Sequence, residues 1–499
     1  MLWVPHPLRS NGWDVSRISP LRVAPASKLA GDPGAPKGQR VRIELSLDIP
    51  THRVAMNGAP STCTLSNLPT HPSDRKKTTC WISGDVLCVH ARHDERWALL
   101  SAAPVPEKAM LKAKHLLHPW MTIRTVRGLL AASRDMRRFA RESERRFRGD
   151  PRYRLDDVSA GFAFHAMDET QDDDLLTRIC DAYLRAVEAE KNAPAVYQAT
   201  PWWQEVRRAA LGPVMNALRE RNLAALHSFY RNFFRDPCSV GLVGRPLSIS
   251  RAYRDGRMND MHRRFLLGDA LHRLDYWKRA TEHRFPIADL SGPLFGNPFG
   301  VVVAQTLIRS ATEYQHYCAH RLHDLHKSSK GVIAEIGGGY GGMAYYLLRD
   351  WLGVIYVDFD VPESIALTSY YLMKSLPQLR FVLYGEQPIT NATIAGADVI
   401  LMPPWVLREM PDDSVDTVFT SHTMSDTTPE ATATYLNDIA RMARRHFFYI
   451  GSMRGAETVM KAMPQGQNSL SLQQSLPSEW NLHRVPDARE VERVYRVTY

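Results

Sequence analysis

Residues 334–344 read AEIGGGYGGMA, with five glycines in six positions between the apolar run GVI (331–333) and MAYYLL (343–348), which has helical spacing. A strand that turns sharply into a helix gathers backbone N–H groups and the positive end of the helix dipole at one point. Glycine then removes the Cβ that would hold a ligand away. This is the layout of a nucleotide cofactor pocket. The letters satisfy G-x-G-x-x-G through Gly337, Gly339 and Gly342, which suits a dinucleotide, and E-x-G-x-G-x-G through Glu335, Gly337, Gly339 and Gly341, which suits S-adenosylmethionine.

Glu335 separates the two. In a dinucleotide fold the position two before the first glycine is an apolar strand residue, and a carboxylate there would repel the nearby pyrophosphate. A pocket for a sulfonium and an ammonium instead gains from a negative charge. The next strand ends YVDFDVPES (356–364), which puts an acid about 20 residues beyond the loop, where ribose hydroxyls donate. Asp358 and Asp360 compete for that role, and Asp360 lies nearer the strand's end, directly before VPES.

Working outward, the text after residue 330 alternates strand and helix: GVIAEI and GMAYYLLRDWL, GVIYVDF and PESIALTSYYLMKSL, RFVLY, ADVILM, VDTVFTS and PEATATYLNDIARMARR, then HFFYIGS. Such alternation predicts an α/β fold, a Rossmann-like doubly wound parallel sheet that binds ligands at the carboxyl ends of its strands. The closing VTY reads as a terminal antiparallel strand. VDTVFTS delivers His422 to a strand's carboxyl end, and an imidazole with an ordinary pKa of about 6.5 is a usable base near neutrality. The alternatives for His422 are a loop histidine or one hydrogen-bonded in the strand end. Asp426 could orient His422, act as base itself, or cap the helix beginning near Pro429.

These residues resemble the small-molecule S-adenosylmethionine-dependent O-methyltransferases, and most of all the bacterial sugar O-methyltransferase family. EIGGGYGG resembles that family's glycine loop, and DVPESIALTSYYL resembles its stretch beginning Asp-Leu-Pro-Glu. GNPFG (296–300) and, more loosely, WWQEV (202–206) and NFFRDP (232–237) extend the likeness, which covers roughly residues 200–455. The resemblance implies S-adenosyl-L-methionine as cofactor. It assigns Glu335, Gly337 and Gly339, with Gly338 and Gly341 of the same loop, to the methionine part and Asp360 to the ribose. It puts the adenine near Met402 or Trp405. HTMSD (422–426) also resembles the stretch that carries the catalytic histidine of plant-type O-methyltransferases, whereas the sugar family has Ser and Glu hereabouts. The implied acceptor is a hydroxyl of a sugar or glycoside. Arg309, Tyr314 and His316, ahead of the glycine loop, are candidates to close over cofactor or acceptor.

The rest of the chain sets bounds. Its 499 residues, 44% hydrophobic and 23% charged, predict more than one domain. The expected division is a loose arm over 1–40, a small β-rich region over 41–115, a helical substrate or lid domain over 116–300 and the cofactor domain over 301–499. The small region would use VRIELSLDI, TTCWISGDVLCVHA and RWALLSA as strands, with SGD as a hairpin turn. Helical spacing runs through EKAMLKAKHLL, LLTRICDAYLRAVEAEKN, WWQEVRRAALGPVMNALRERN, LAALHSFYRNFFRD and MHRRFLLGDALHRLDYWKRATEHR. VVVAQTLIRSATEYQHYCAHRLHDLH (301–326) reads as one long helix. Trp202, Trp203, Phe229, Tyr230, Phe233, Phe234 and Trp277 could stack on a sugar face, although aromatics at helical spacing are more often core.

Six cysteines without C-x-x-C spacing suggest neither a zinc site nor a disulfide framework, and no metal is expected. No apolar run reaches the ~18 residues of a membrane span, and the start lacks a signal-peptide layout, so a cytoplasmic protein is expected. The net charge of +10 permits nucleic-acid binding, but acids interleave the basic run RDMRRFARESERRFRGD (134–150) as on a solvated helix face. An NAD-dependent oxidoreductase and a basic nucleic-acid-binding protein stand as the alternative classes. The oligomeric state is open, a homodimer included.

Overall fold

A computed structural model describes the backbone of residues 43–44, 78–83, 86–93 and 96–104, and residues 134–163, 172–243, 258–326, 330–425, 427–464, 469–483 and 489–498. The arm expected over 1–40, the helix expected over EKAMLKAKHLL and the candidate Asp426 lie outside the described residues. Residues 6–131 and residues 132–499 belong to two compact units. In the first, strands β1 (Ile43–Glu44), β2 (Thr78–Ser83), β3 (Val86–His93) and β4 (Arg96–Pro104) form an antiparallel sheet in chain order. Ser83 at the end of β2 pairs with Val86 at the start of β3; Gly84 and Asp85 of the expected SGD turn lie outside the described residues.

The second unit begins with helices: α1 (134–146), α2 (Leu155–Ala163), α3 (Asp173–Glu190), α4 (Pro201–Val206), α5 (Gly212–Arg219), α6 (Leu223–Tyr230) and α7 (Asp260–Ala280). On α1, Phe139, Ala140 and Ser143 are buried while Asp135 pairs with Arg138 on the exposed side, the mixed face expected of the basic run. Thr200 caps α4 by accepting from Trp203 N–H at 3.3 Å, with Pro201 in its first turn.

The long helix expected over 301–326 is instead a hairpin and a shorter helix. Strands β5 (Gly300–Val303) and β6 (Thr306–Arg309) pair antiparallel, and α8 (Thr312–His326) follows. The reason lies in local chemistry. VVV and TLI are rich in β-branched residues, and Ala304 and Gln305 turn with φ of 47° and 65°, as a two-residue hairpin needs.

The main sheet then builds up as β7 (Gly331–Ile336), α9 (Gly342–Asp350), β8 (Val354–Phe359), α10 (Pro362–Ser375), β9 (Phe381–Leu383), α11 (Asn391–Gly396), β10 (Val399–Met402), β11 (Val415–Ser421), α12 (Pro429–Met442), β12 (Ala443–Ser452), α13 (Met453–Lys461), β13 (Ser469–Ser478) and β14 (Glu490–Thr498). The strand order is β13-β14-β12-β11-β7-β8-β10-β9. The strands β7 to β12 run parallel, and β14 is antiparallel to both β12 and β13. The closing strand was expected; its partner SLSLQQSLPS was not, since its alternation is broken at Gln474 and most of its positions are exposed.

The sheet is doubly wound. From β7 the chain moves to β8 and beyond on one side, then returns to β11 and β12 on the other, so the carboxyl ends of β7 and β11 flank a topological switch point. All six residues of β7 are buried, as a central parallel strand requires. Ile333, Tyr356, Phe419 and Phe448 share one core with Leu226, Phe233 and Trp277 of the helical segment. Ala334, Val357 and Phe359 face a second core with Leu436 and Ile439 of α12. Among the described residues no helix is long and apolar enough to cross a membrane.

Candidate functional site

The glycine run leaves the carboxyl end of β7 and enters α9, as its sequence dictates. Gly337, Gly339 and Gly341 hold φ of 85°, 64° and 84°, a region in which side chains are strained. Space is as tight as the backbone. A Cβ on Gly337 would lie 1.9 Å from Thr423 Oγ1, and one on Gly338 would lie 2.7 Å from the Asp358 carboxylate. Gly342 instead serves packing, since its Cβ would meet the Gln315 amide of α8 at 2.4 Å.

Glu335 is 3% exposed and accepts a 2.6 Å hydrogen bond from the Tyr356 hydroxyl. Burial pushes its pKa up to about 7, against the pull of that hydrogen bond. Asp358 is fully buried, and one oxygen accepts from Gly338 N–H at 3.1 Å. Asp360 sits just past the carboxyl end of β8, where Gly339 N–H (3.0 Å) and the Ser364 hydroxyl (2.7 Å) donate to one oxygen and Val361 N–H (2.7 Å) to the other. Burial pushes Asp360 up to about 6. Asp360 is therefore the acid at the accessible edge, while Asp358 supports the loop from beneath. Met402 ends β10, and its carbonyl accepts from Asp360 N–H at 3.2 Å. Its side chain is 2% exposed and that of Trp405 5%, so both pack in the second core.

At the end of β11, His422 takes a left-handed φ of 65° while its N–H donates to Ile450 O at 2.7 Å. Burial pushes its pKa down to about 3, so the ring is neutral and a weak base at working pH. Tyr314 reaches this end from α8. Its hydroxyl shares a 2.7 Å hydrogen bond with Ser421 Oγ, and its ring lies 6.3 Å from His422 and 5.3 Å edge-on from Trp480. The strand ends thus bring Tyr314, Ser421, His422 and Thr423 together beside Gly337.

The other two residues of the expected lid lie elsewhere. Arg309 is 3% exposed, with its guanidinium 5.3 Å over the Phe234 ring and 3.4 Å from the Tyr371 hydroxyl. His316 belongs to a separate junction with His320 and Asp350, whose ligand atoms lie within 4.8 Å of one another. The hydrogen bonds there oppose a metal. The Trp277 indole N–H, a donor only, points at His316 Nδ1 from 3.2 Å and leaves the neutral ring's proton on Nε2. The Arg349 fork takes both Asp350 oxygens at 2.6 and 2.7 Å.

The aromatic residues divide in the same way. Tyr230, Phe233, Phe234 and Trp277 are buried and make no sugar platform. Phe233 and Phe234 lie 5.9 and 5.3 Å from the ring of Tyr340, behind the glycine loop. GNPFG is a latch. Arg235 donates to the carbonyls of Asn297, Pro298 and Phe162 at 2.9–3.2 Å, and Gly296 leaves room for Phe233. Trp203 and Arg207 hold the start of α10, donating to the buried Glu363 at 2.6 Å and at 2.5 and 2.9 Å. The structure adds Tyr340, Glu363, Ser421 and Thr423 to the residues singled out from sequence, and moves Asp358 from a ribose candidate to a support of the loop. Glu363 could have been found, because a buried-type helix start followed by an acid needs a donor.

No family model matches the sequence, and no curated protein matches it. Solved structures similar to it include a SAM dependent methyltransferase from Aquifex aeolicus (13% identity, 36% of this chain and 89% of that one, TM-score 0.25). A magnesium protoporphyrin IX methyltransferase from Synechocystis PCC 6803 with bound SAH is another (9%, 37% and 87%, 0.24). A third is the N-methyltransferase NodS from Bradyrhizobium japonicum WM9 (11%, 37% and 96%, 0.27). Strand order and glycine loop, rather than these distant likenesses, define the domain as a Rossmann-like doubly wound sheet.

Proposed function

We propose that residues 132–499 form an S-adenosylmethionine-dependent O-methyltransferase acting on a hydroxyl of a sugar or glycosylated small metabolite. One observation carries the cofactor: Glu335, buried at the strand end before the glycines, has no ion-pair partner among the described residues. A pyrophosphate would add negative charge to a site already short of positive charge, whereas a sulfonium and an ammonium supply what is missing. The same reasoning sets aside the NAD alternative.

In this reading Glu335 and the loop Gly337, Gly338, Gly339 and Gly341 hold the methionine part, Asp360 the ribose hydroxyls and Met402 one edge of the adenine. The cofactor, when bound, supplies an electrophilic methyl. The chain's own residues bind the acceptor, orient its hydroxyl and exclude water. Neutral His422 accepts a hydrogen bond from that hydroxyl, Asp426, four residues further along the sequence, orients it, and Tyr314 and Ser421 fix the oxygen's direction. Because His422 is a weak base, positioning carries more of the rate than proton abstraction. The sugar rests on the resemblance of DVPESIALTSYYL and GNPFG.

Equilibrium binding of S-adenosylhomocysteine and NADH, then incubation with labelled methyl donor and a panel of free and glycosylated hydroxyl compounds, tests the proposal. Binding of the homocysteine compound, lost in Glu335→Ala, and label in a glycoside are expected. NADH binding in its place would overturn the cofactor, and label only in amines or carboxylates would overturn the acceptor.

A further inference from the structure

The carboxylates beneath the glycine loop are arranged for more than holding a ligand. Glu335 and Asp358 are register partners on the neighbouring parallel strands β7 and β8, so their side chains leave the same face of the sheet side by side. They are 3% and 0% exposed. Asp360 follows two residues later. Every hydrogen bond given to the three comes from a neutral donor: the Tyr356 hydroxyl, the N–H groups of Gly338, Gly339, Phe359 and Val361, and the Ser364 hydroxyl. The second oxygen of Asp358 is buried without a hydrogen-bond partner.

The other titratable groups that face them add no positive charge. Cys318 approaches Glu335 from α8, Tyr435 approaches Asp360 from α12, and Glu363 approaches Asp360 from α10. The Glu363 charge is taken by Arg207. Among the described residues, no Lys, Arg or His forms an ion pair with Glu335, Asp358 or Asp360. Two adjacent buried carboxyl groups without a cation do not both ionise. Burial accordingly drives Asp358 well above the carboxylate range, with Asp360 and Glu335 adding to the shift.

We propose that Asp358 is a specificity-determining residue which lets the pocket tell the methyl donor from its demethylated product by charge. It holds a proton in the empty pocket and beside the product, and gives it up beside a sulfonium. This rests on the cofactor reading above. Donor and product differ by one methyl cation: the donor's sulfur is positive and the product's is a neutral thioether. On donor binding the Asp358 O–H bond breaks, the proton goes to solvent and a carboxylate remains beneath the glycine loop, its charge offset by the sulfonium held on the loop. Once the methyl has left, the charge is gone and the carboxyl takes a proton back. No electrons move and no other reactant is needed. The product is thereby bound less tightly than the donor as pH rises.

Dissociation constants of the whole protein for S-adenosylmethionine and S-adenosylhomocysteine, measured by calorimetry at pH 6 and pH 8.5, test this. The product-to-donor ratio is expected to rise about fivefold or more over that range. Titrations in two buffers of unlike ionisation enthalpy are expected to count more protons released by the donor than by the product. Asp358→Asn keeps an oxygen for Gly338 N–H and the side chain's shape, and is expected to flatten the ratio and remove the proton difference. A pH-independent ratio in the natural protein, or an Asp358→Asn variant that behaves like it, overturns the proposal while leaving the cofactor in place. Should that variant fail to fold, the proton count of the natural protein decides. Binding of neither compound by folded protein at any pH overturns the cofactor reading itself.

Discussion

At the scale of single residues, His422 shows how position and chemistry separate. Its delivery to a strand's carboxyl end follows from VDTVFTS alone, but basicity depends on surroundings that no local pattern encodes. Burial holds its pKa near 3, so His422→Ala is expected to lower kcat/KM by less than about tenfold; a loss of ~100-fold or more would mark it as the general base after all. Glu335 was legible for the opposite reason, because a charge where the pattern demands an apolar residue announces itself. Its stability effect follows by linkage. Its pKa, raised to about 7 from an ordinary ~4.3, means the folded state binds protons more tightly than the unfolded chain. The ligand-free protein therefore loses stability as pH rises from about 4 to about 7 and stays so above. Glu335→Gln, which still accepts from Tyr356, is expected to raise unfolding free energy by about 2 kcal/mol at pH 8 and by nearly nothing at pH 4. Urea unfolding at both values checks this, and an equal gain at both would be contrary to it. Asp358 was not legible as a buried support, since two acids ending one strand carry no mark of which lies beneath the loop.

At the scale of elements, the parallel strands and their helices were readable because buried strands leave apolar runs and amphipathic helices leave a 3.6-residue period. The hairpin β5–β6 was missed because the apolar groups VVVA and LI, set a helical turn apart and followed by a true helix, imitate one longer helix; only the left-handed Ala304 and Gln305 break it. Contacts between elements distant in sequence were out of reach. The clearest is the junction at Glu363, 2% exposed at its side chain, where Trp203 and Arg207 of the α4 region seize the first turn of α10. Breaking a buried ion pair from one side costs about 3–5 kcal/mol because the partner is stranded. Arg207 retains Glu190 at 2.9 Å, so the lower end applies. Glu363→Ala is therefore expected to cost about 3 kcal/mol of unfolding free energy in urea and to weaken S-adenosylhomocysteine binding severalfold, since Asp360 lies three residues away. An unchanged midpoint would mean that the two elements are held by packing alone.

For the whole molecule, the stretches that carried the family resemblance outside the glycine loop converge on its back rather than on an acceptor. Phe233 and Phe234 pack on Tyr340, Gly296 admits Phe233, and Arg207 holds α10. The helical segment and the sheet accordingly share one core: Leu226, Phe233 and Trp277 lie with Tyr340, Leu347 and Tyr371 in a single cluster of buried residues. A cut at residue 301, where the sequence changes character, would strip that face of the sheet and expose Tyr340, Tyr346 and Tyr371, all fully buried in the whole chain. Large buried aromatics dominate core energetics at about 3–5 kcal/mol apiece when truncated to alanine, and a fragment of 301–499 would forgo the partners of several at once. Its stability would then fall below the ~5–15 kcal/mol margin of ordinary domains. Residues 132–499 keep the core entire and form one compact unit. The fragment 132–499 is thus expected to unfold in a single cooperative transition and to bind S-adenosylhomocysteine. The fragment 301–499 is expected to be insoluble or to lack fixed near-ultraviolet circular dichroism. Cooperative unfolding of the shorter piece would show that the sheet folds without its helical partner, and that the convergence behind the glycine loop is an accessory of the cofactor site rather than its foundation.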